Sequence, residues 1–124
     1  MKLEYRDGLL FTSIEITYNG KTTKINNVVV DTGASYCIIE PSAIEKLDII
    51  FTKDDEIETF YGVNSLFSYV KRTADRITLD DIYINNVNMY IGSVSKNINA
   101  LLGLDVLISS GAIIDLKNME IRFS

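Results

Sequence analysis

An aspartate stands at the end of an unbroken apolar run: Val28-Val29-Val30 leads directly into Asp31-Thr32-Gly33-Ala34-Ser35. Such a run suits a strand buried on both faces. A carboxylate at its end is costly, because burial without a partner shifts its pKa or destabilises the fold. One reason for it is a turn, since Asp followed by Thr-Gly is ordinary turn chemistry. The other is chemistry, since a carboxylate is one of the groups that can serve hydrolysis. An Asp-Thr/Ser-Gly triplet arises by chance in roughly one in twenty chains of this length, so the triplet alone does not decide.

Absent residues narrow the choice. The chain has no histidine and one cysteine, Cys37. A Ser-His-Asp or Cys-His site therefore cannot be built within it, nor a zinc site of His and Cys. Ser35 has no base to activate it and reads as a loop hydrogen-bonder. Cys37 forms no internal disulfide and reads as a small buried hydrophobe. Asp54, Asp55 and Glu56 lack the ordered spacing of a calcium loop and read as a solvated loop. Asp80, Asp81 and Asp115 read as turn or loop residues. No metal or cofactor is expected, and carboxylates remain the group to follow.

The net charge of −5 and pI of about 4.6 argue against a nucleic-acid surface. Lys71-Arg72, the longest basic patch, reads as an ordinary solvated pair. The mixed, charged start Met1 to Asp7 is unlike a signal peptide, and no run approaches the roughly 18 apolar residues of a spanning helix. With a single cysteine, these features lead to the expectation of a cytoplasmic, reducing location without a membrane segment.

The elements that must position Asp31 read mostly as strands. Leu9 to Tyr18 is β-branched and aromatic, Asn19-Gly20 is a two-residue hairpin signal, and Lys21 to Val30 is the returning strand. Tyr36 to Ile39 resumes a strand that Pro41 ends. Ser42 and Glu45 have capping-box spacing, predicting a short helix over 41–47. Ile57 to Lys71 reads as a second hairpin with Gly62-Val63-Asn64-Ser65 at its tip. Ile77 to Ile84 and Val87 to Val94 alternate as strands joined at Asn85-Asn86. Ala100 to Gly103 is a short apolar strand. Asp105 to Ser110 fits a brief helix, Asp105 capping it and Gly111 stopping it. Ala112 to Leu116 and Met119 to Phe123 make a last hairpin around Lys117-Asn118. The expectation is one mostly-β domain over 1–124 with one or two short helices.

Two of these segments together resemble a known family. Val28-Val29-Val30-Asp31-Thr32-Gly33-Ala34-Ser35 resembles the active-site loop of retropepsin-like aspartic proteases. Ala100-Leu101-Leu102-Gly103-Leu104-Asp105-Val106-Leu107, followed by Ile113-Ile114-Asp115-Leu116, is similar to that family's second hallmark, an apolar strand and glycine leading into a short helix. The likeness covers about residues 8–123 and is nearest to the protease domain of DNA-damage-inducible proteins and small bacterial relatives. It implies a single-lobe acid protease barrel that cleaves a peptide or protein substrate with activated water. Asp31 would be catalytic, one per subunit of a homodimer, since two carboxylates sharing a proton are required. Thr32 would hydrogen-bond to the partner loop, Gly33 would let the backbone turn beside the carboxylate, and Ala34 would sit close to substrate. Leu101, Leu102 and Gly103 would pass beside the loop.

The resemblance further implies a flap over an extended peptide. Residues 57–71 are the candidate, with Tyr61, Gly62 and Val63 near the tip and Leu66 as a further apolar contact. The relatives carry more glycine there; Asn64-Ser65 stands in place of some of it. An alternative is the same fold kept as a catalytically silent dimeric peptide-binding or scaffold domain. For the dimer, the C-terminal strand Met119 to Phe123 is a candidate edge.

Overall fold

The computed structural model describes residues 1–62 and 65–124. Among them are ten strands in chain order: β1 (Glu4–Arg6), β2 (Leu9–Tyr18), β3 (Lys21–Val30), β4 (Cys37–Ile39), β5 (Ile57–Gly62), β6 (Ser65–Leu79), β7 (Ile82–Ile91), β8 (Ala100–Leu102), β9 (Ala112–Asp115) and β10 (Glu120–Phe123). A 3₁₀ segment, Pro41–Leu47, and a short helix, α1 (Leu104–Ser109), complete the set. No helix of the described residues is long and apolar enough to cross a membrane.

β2 and β3 form the expected hairpin, with Asn19 and Gly20 at φ 51° and 81°. Both residue types tolerate that conformation, and the resulting turn matches the twist of the flanking strands. The main sheet runs β1-β2-β3-β8-β4-β7-β6-β5, and β2 also pairs with β6. That extra pairing closes β2, β3, β8, β4, β7 and β6 into a barrel, as the resemblance implies, and leaves β1 and β5 outside the closure. β8 pairs parallel to β3 and antiparallel to β4, while β4 pairs parallel to β7. Alternate residues of each strand fill the interior: Ile14 and Ile16 on β2, Ile77 and Leu79 on β6, Val87, Met89 and Ile91 on β7. Burying each such side chain contributes about 1.5–3 kcal/mol.

Several local readings differ from the sequence pattern. Asn85-Asn86 is no turn. Both lie inside β7, Asn86 at φ 55°, and the chain reverses at Asp80-Asp81, where Leu79 pairs with Ile82. Asn and Asp both tolerate the left-handed region, and the longer cross-strand ladder settles where the bend falls. β7 also stops at Ile91 rather than Val94. Asp105 does not cap α1; the helix begins at Leu104 after Gly103, and Asp105 lies in its first turn. The Ser42 and Glu45 capping box does not form. The 41–47 segment is 3₁₀ with Pro41 at its start and no side-chain cap. β1 is a short, charged strand that alternation does not announce; it joins the sheet by pairing with β2.

Candidate active site

Asp31 closes β3, and its main chain is held from two sides. Its N–H donates to the Leu102 carbonyl at 3.0 Å, and its own carbonyl accepts the Ala34 N–H at 3.1 Å. The carboxylate is half-exposed, and its Oδ1 accepts the Gly33 N–H at 2.9 Å. Gly33 is not in the left-handed region. What a side chain would disturb is the carboxylate, since a Cβ there would sit 3.1 Å from that same Oδ1. Thr32 and Gly33 are exposed, and the Thr32 hydroxyl has no hydrogen-bond partner among the described residues.

The Leu101-Leu102-Gly103 segment lies directly beneath this loop. Leu101 is paired between Val29 and Ile38, and Leu102 beside Val30 is wholly buried. Gly103 is forced by close approach: a Cβ would meet the Tyr36 carbonyl oxygen at 2.4 Å and the Ala34 oxygen at 2.9 Å. The first amides of a helix lack intrahelical partners. Here the loop supplies them, Leu104 N–H donating to the Ala34 carbonyl at 2.8 Å and Asp105 N–H to the Ser35 carbonyl at 3.2 Å. Two segments about 70 residues apart in sequence thus become one backbone framework. Below it, the Cys37 thiol donates to Asp105 Oδ1 at 3.4 Å. Burial, reinforced by the Asp105 carboxylate, pushes the thiol's pKa up, which suits an inert core cysteine.

β5 and the first half of β6 form the expected hairpin, paired from Ile57–Val70 to Gly62–Ser65. Val63 and Asn64 lie outside the described residues. Phe60 turns toward the Asp31 loop, its ring centroid 5.9 Å from Tyr36, 5.3 Å from Tyr90 and 5.8 Å from Tyr69. Tyr61, one residue on, is 84 % exposed. Ala34, Ser35, Tyr36, Ile38 and Phe60 line a small cavity of about 140 Å³ between loop and hairpin. A larger groove of about 670 Å³, lined by Lys2, Arg6, Asn26 and Asp80 among others, includes none of the expected site residues.

Residues 14–106 match the family model described as aspartyl protease. The chain belongs to the aspartyl protease family. It is therefore a hydrolase of aspartic type. The fold is similar to that of a retropepsin-like aspartic protease from Rickettsia conorii, with a TM-score of 0.72 and 24% identity over 97% of this chain and 86% of that one. No curated protein matches.

The protease has further site features that the sequence did not announce. Tyr36, Ile38, Phe60 and Tyr90 line or support the cavity, yet they are isolated apolar residues on three different strands and loops. The pairing of β4 with β7, β7 with β6 and β6 with β5 assembles them. Arg72, read as half of a solvated pair, is instead a clamp. Its guanidinium donates to Asp55 Oδ1 (3.1 Å from Nε), to the Tyr18 hydroxyl at 3.0 Å and to the Ile50 carbonyl at 2.7 Å. Lys71 N–H donates to the Glu56 carbonyl at 2.9 Å. Both legs of the hairpin are thereby tied at its base. Hydrogen bonds from the Thr52 N–H and then from Arg72 hold the Asp55 carboxyl below its ordinary pKa.

Proposed function

We propose that this aspartyl protease is an endopeptidase active as a homodimer, in which Asp31 and the same residue of a second copy share one proton across a two-fold axis. One carboxylate takes a proton from an attacking water and the other gives one to the scissile carbonyl oxygen. No covalent intermediate is formed. The observation that carries this reading is a single, half-exposed Asp31 carboxylate on a loop whose backbone is fixed from beneath by Leu102, Gly103 and Leu104. One such group per chain is half of what the chemistry needs, and symmetric pairing supplies the other half.

The surrounding residues then take definite roles. Thr32, exposed on the loop, bonds to the partner loop. Gly33 supplies its N–H to the carboxylate. Ala34 borders the cavity that takes an apolar side chain of the substrate, with Tyr36, Ile38 and Phe60 as its other walls. The hairpin 57–71, with Tyr61 and Gly62 toward its tip, covers an extended peptide that adds main-chain hydrogen bonds along it. The Asp31→Asn variant tests the mechanism. Peptide cleavage should fall by roughly 10³-fold or more, with circular dichroism and the dimer unchanged. Cleavage at the wild-type rate would refute it. Peptide binding without turnover by the unaltered chain would instead favour a silent binding domain.

A further inference from the structure

Glu58 and Phe60 stand two residues apart on β5 and therefore share one face of the hairpin. Their cross-strand partners on that face are Tyr69 and Phe67. Phe60 fixes which way the face looks, because its ring meets Tyr36 of the Asp31 loop at 5.9 Å and Tyr90 of β7 at 5.3 Å. Ile57 and Tyr61 lie on the opposite face, and Tyr61 is almost fully exposed there. Glu58 thus stands on the same side as the cavity that Phe60 and the Asp31 loop enclose.

Glu58 differs from the other acidic residues at the base of the hairpin. Asp55 accepts from Arg72, and Glu56 lies 3.8 Å from the Lys71 ammonium. Glu58 is half-buried, yet among the described residues its carboxylate has neither an ion pair nor a hydrogen bond. Removing a carboxylate from water without a partner carries a cost, and a bound cation would offset it. Negative charge dominates the surroundings. Burial chiefly raises the pKa of the Tyr90 hydroxyl, and after Tyr36 the Glu58, Asp105 and Glu56 carboxylates add to it.

An extended peptide along the hairpin has the rise of a strand, so its alternate side chains are about 6.6 Å apart, as Phe60 and Glu58 are on β5. When one side chain enters the cavity beside Phe60, the next on that face comes opposite Glu58. Glu58 is farther than Phe60 from Gly62 near the tip, so this second residue lies farther from the scissile bond.

We propose that Glu58 is a specificity-determining residue that selects a lysine or arginine in the substrate, two positions outward from the apolar side chain held in the cavity. This rests on the endopeptidase reading above and names the class of peptide that is cut. The two-fold axis repeats the arrangement, so the preference recurs on both sides of the cleaved bond. The net charge of −5 favours the approach of such peptides.

The test starts from the bonds that the wild-type chain cuts in a mixture of cellular peptides, read by mass spectrometry. One cleaved sequence is then made as three internally quenched peptides that differ only at the outer position: Lys, norleucine or Glu. For the wild type, kcat/KM should be about five- to tenfold higher with Lys than with norleucine, the scale of an ion pair partly shielded by bound peptide, and lowest with Glu. In Glu58→Gln the Lys-to-norleucine ratio should fall to about one, and Glu58→Lys should favour the Glu peptide. Glu15→Gln, exposed on β2, should keep the wild-type ratio. A ratio within one preparation is unmoved by loss of folded protein. On the unaltered chain, the same ratio should shrink as salt rises from about 0.05 to 0.5 M. Equal cleavage of the three peptides by the wild type, a Lys preference that survives in Glu58→Gln, or a ratio indifferent to salt overturns the role of Glu58 and leaves the endopeptidase standing. A wild-type chain that cuts no bond in the mixture overturns both.

Discussion

The loop around Asp31 and the hairpin above it are built by different means. The loop is fixed by backbone: Asp31, Ala34 and Ser35 bond to Leu102, Leu104 and Asp105, and Gly103 leaves no room for adjustment. The hairpin pairs with itself along its outer length and leaves Tyr61 and Leu66 exposed; it joins the rest of the molecule at its base, where Val70 and Lys71 pair with β7, and through Phe60, the buried Tyr69 and the Arg72 clamp. Asp31, the proposed catalytic group, thus sits where many main-chain bonds over-determine its position, and the proposed cover is tied down mainly at its base. Precision in the first and freedom in the second are what the proposed closure over a peptide would demand.

The contrast is broken most strongly at Gly103. A methyl group at that position meets two carbonyl oxygens that have nowhere to go, so Gly103→Ala should cost about 2–3 kcal/mol of stability and displace Asp31. Thermal unfolding and turnover should both suffer. A variant of normal stability and activity would mean that the framework beneath the loop yields.

Phe60→Ala acts on the other region. It removes the hairpin's aromatic contacts with Tyr36, Tyr69 and Tyr90. Stability should fall by about 1–2 kcal/mol, and KM should rise by about tenfold while kcat changes less. A fall in kcat with KM unchanged would show that Phe60 serves the chemistry rather than the cover.

The smallest effect is expected at the clamp. Asp55→Asn weakens the tie between Arg72 and the start of the hairpin, and KM should rise about two- to fivefold, the scale of a partly exposed pair. The pH dependence has a definite sign. Because the folded Asp55 carboxyl has a lowered pKa, its contribution is fully present above the ordinary value of 3.8 and is lost as pH falls below it. Asp115 behaves likewise, held at about 2 chiefly by Asn118 and then by Arg122. Acid unfolding between pH 4 and 2, followed by circular dichroism, should therefore be shallower in Asp55→Asn and Asp115→Asn than in the wild type. An identical acid transition would remove these carboxylates from the account.

Legibility in the sequence follows the same division. Val28 to Val30 and Ala100 to Leu102 were readable as strands from their apolar runs, while Asp31 to Ser35 and Gly103 were readable as parts of a site only through their resemblance to the family. The Asn19-Gly20 turn and the 57–71 hairpin were readable from turn chemistry and alternation. Phe60 and Arg72 were not. Which of two neighbouring aromatics faces the site depends on strand phase, and Phe60 or Tyr61 fits the pattern equally well. Arg72 is a clamp only because β6 runs past Tyr18 and the Ile50 to Asp55 loop, a meeting that barrel closure creates. The Asn85-Asn86 misreading has the same origin, since a residue type permits a turn while the ladder decides whether one forms.

The central claim is that the active site consists of one Asp31 from each of two chains. Its most direct test is to mix wild-type protein with Asp31→Asn in varying ratio at constant total concentration, allow subunits to exchange, and measure cleavage. If both aspartates are required, activity follows the square of the wild-type fraction, so an equal mixture retains about one quarter of the activity. A linear dependence, with about one half retained in the equal mixture, would mean that each chain works alone and would contradict the account.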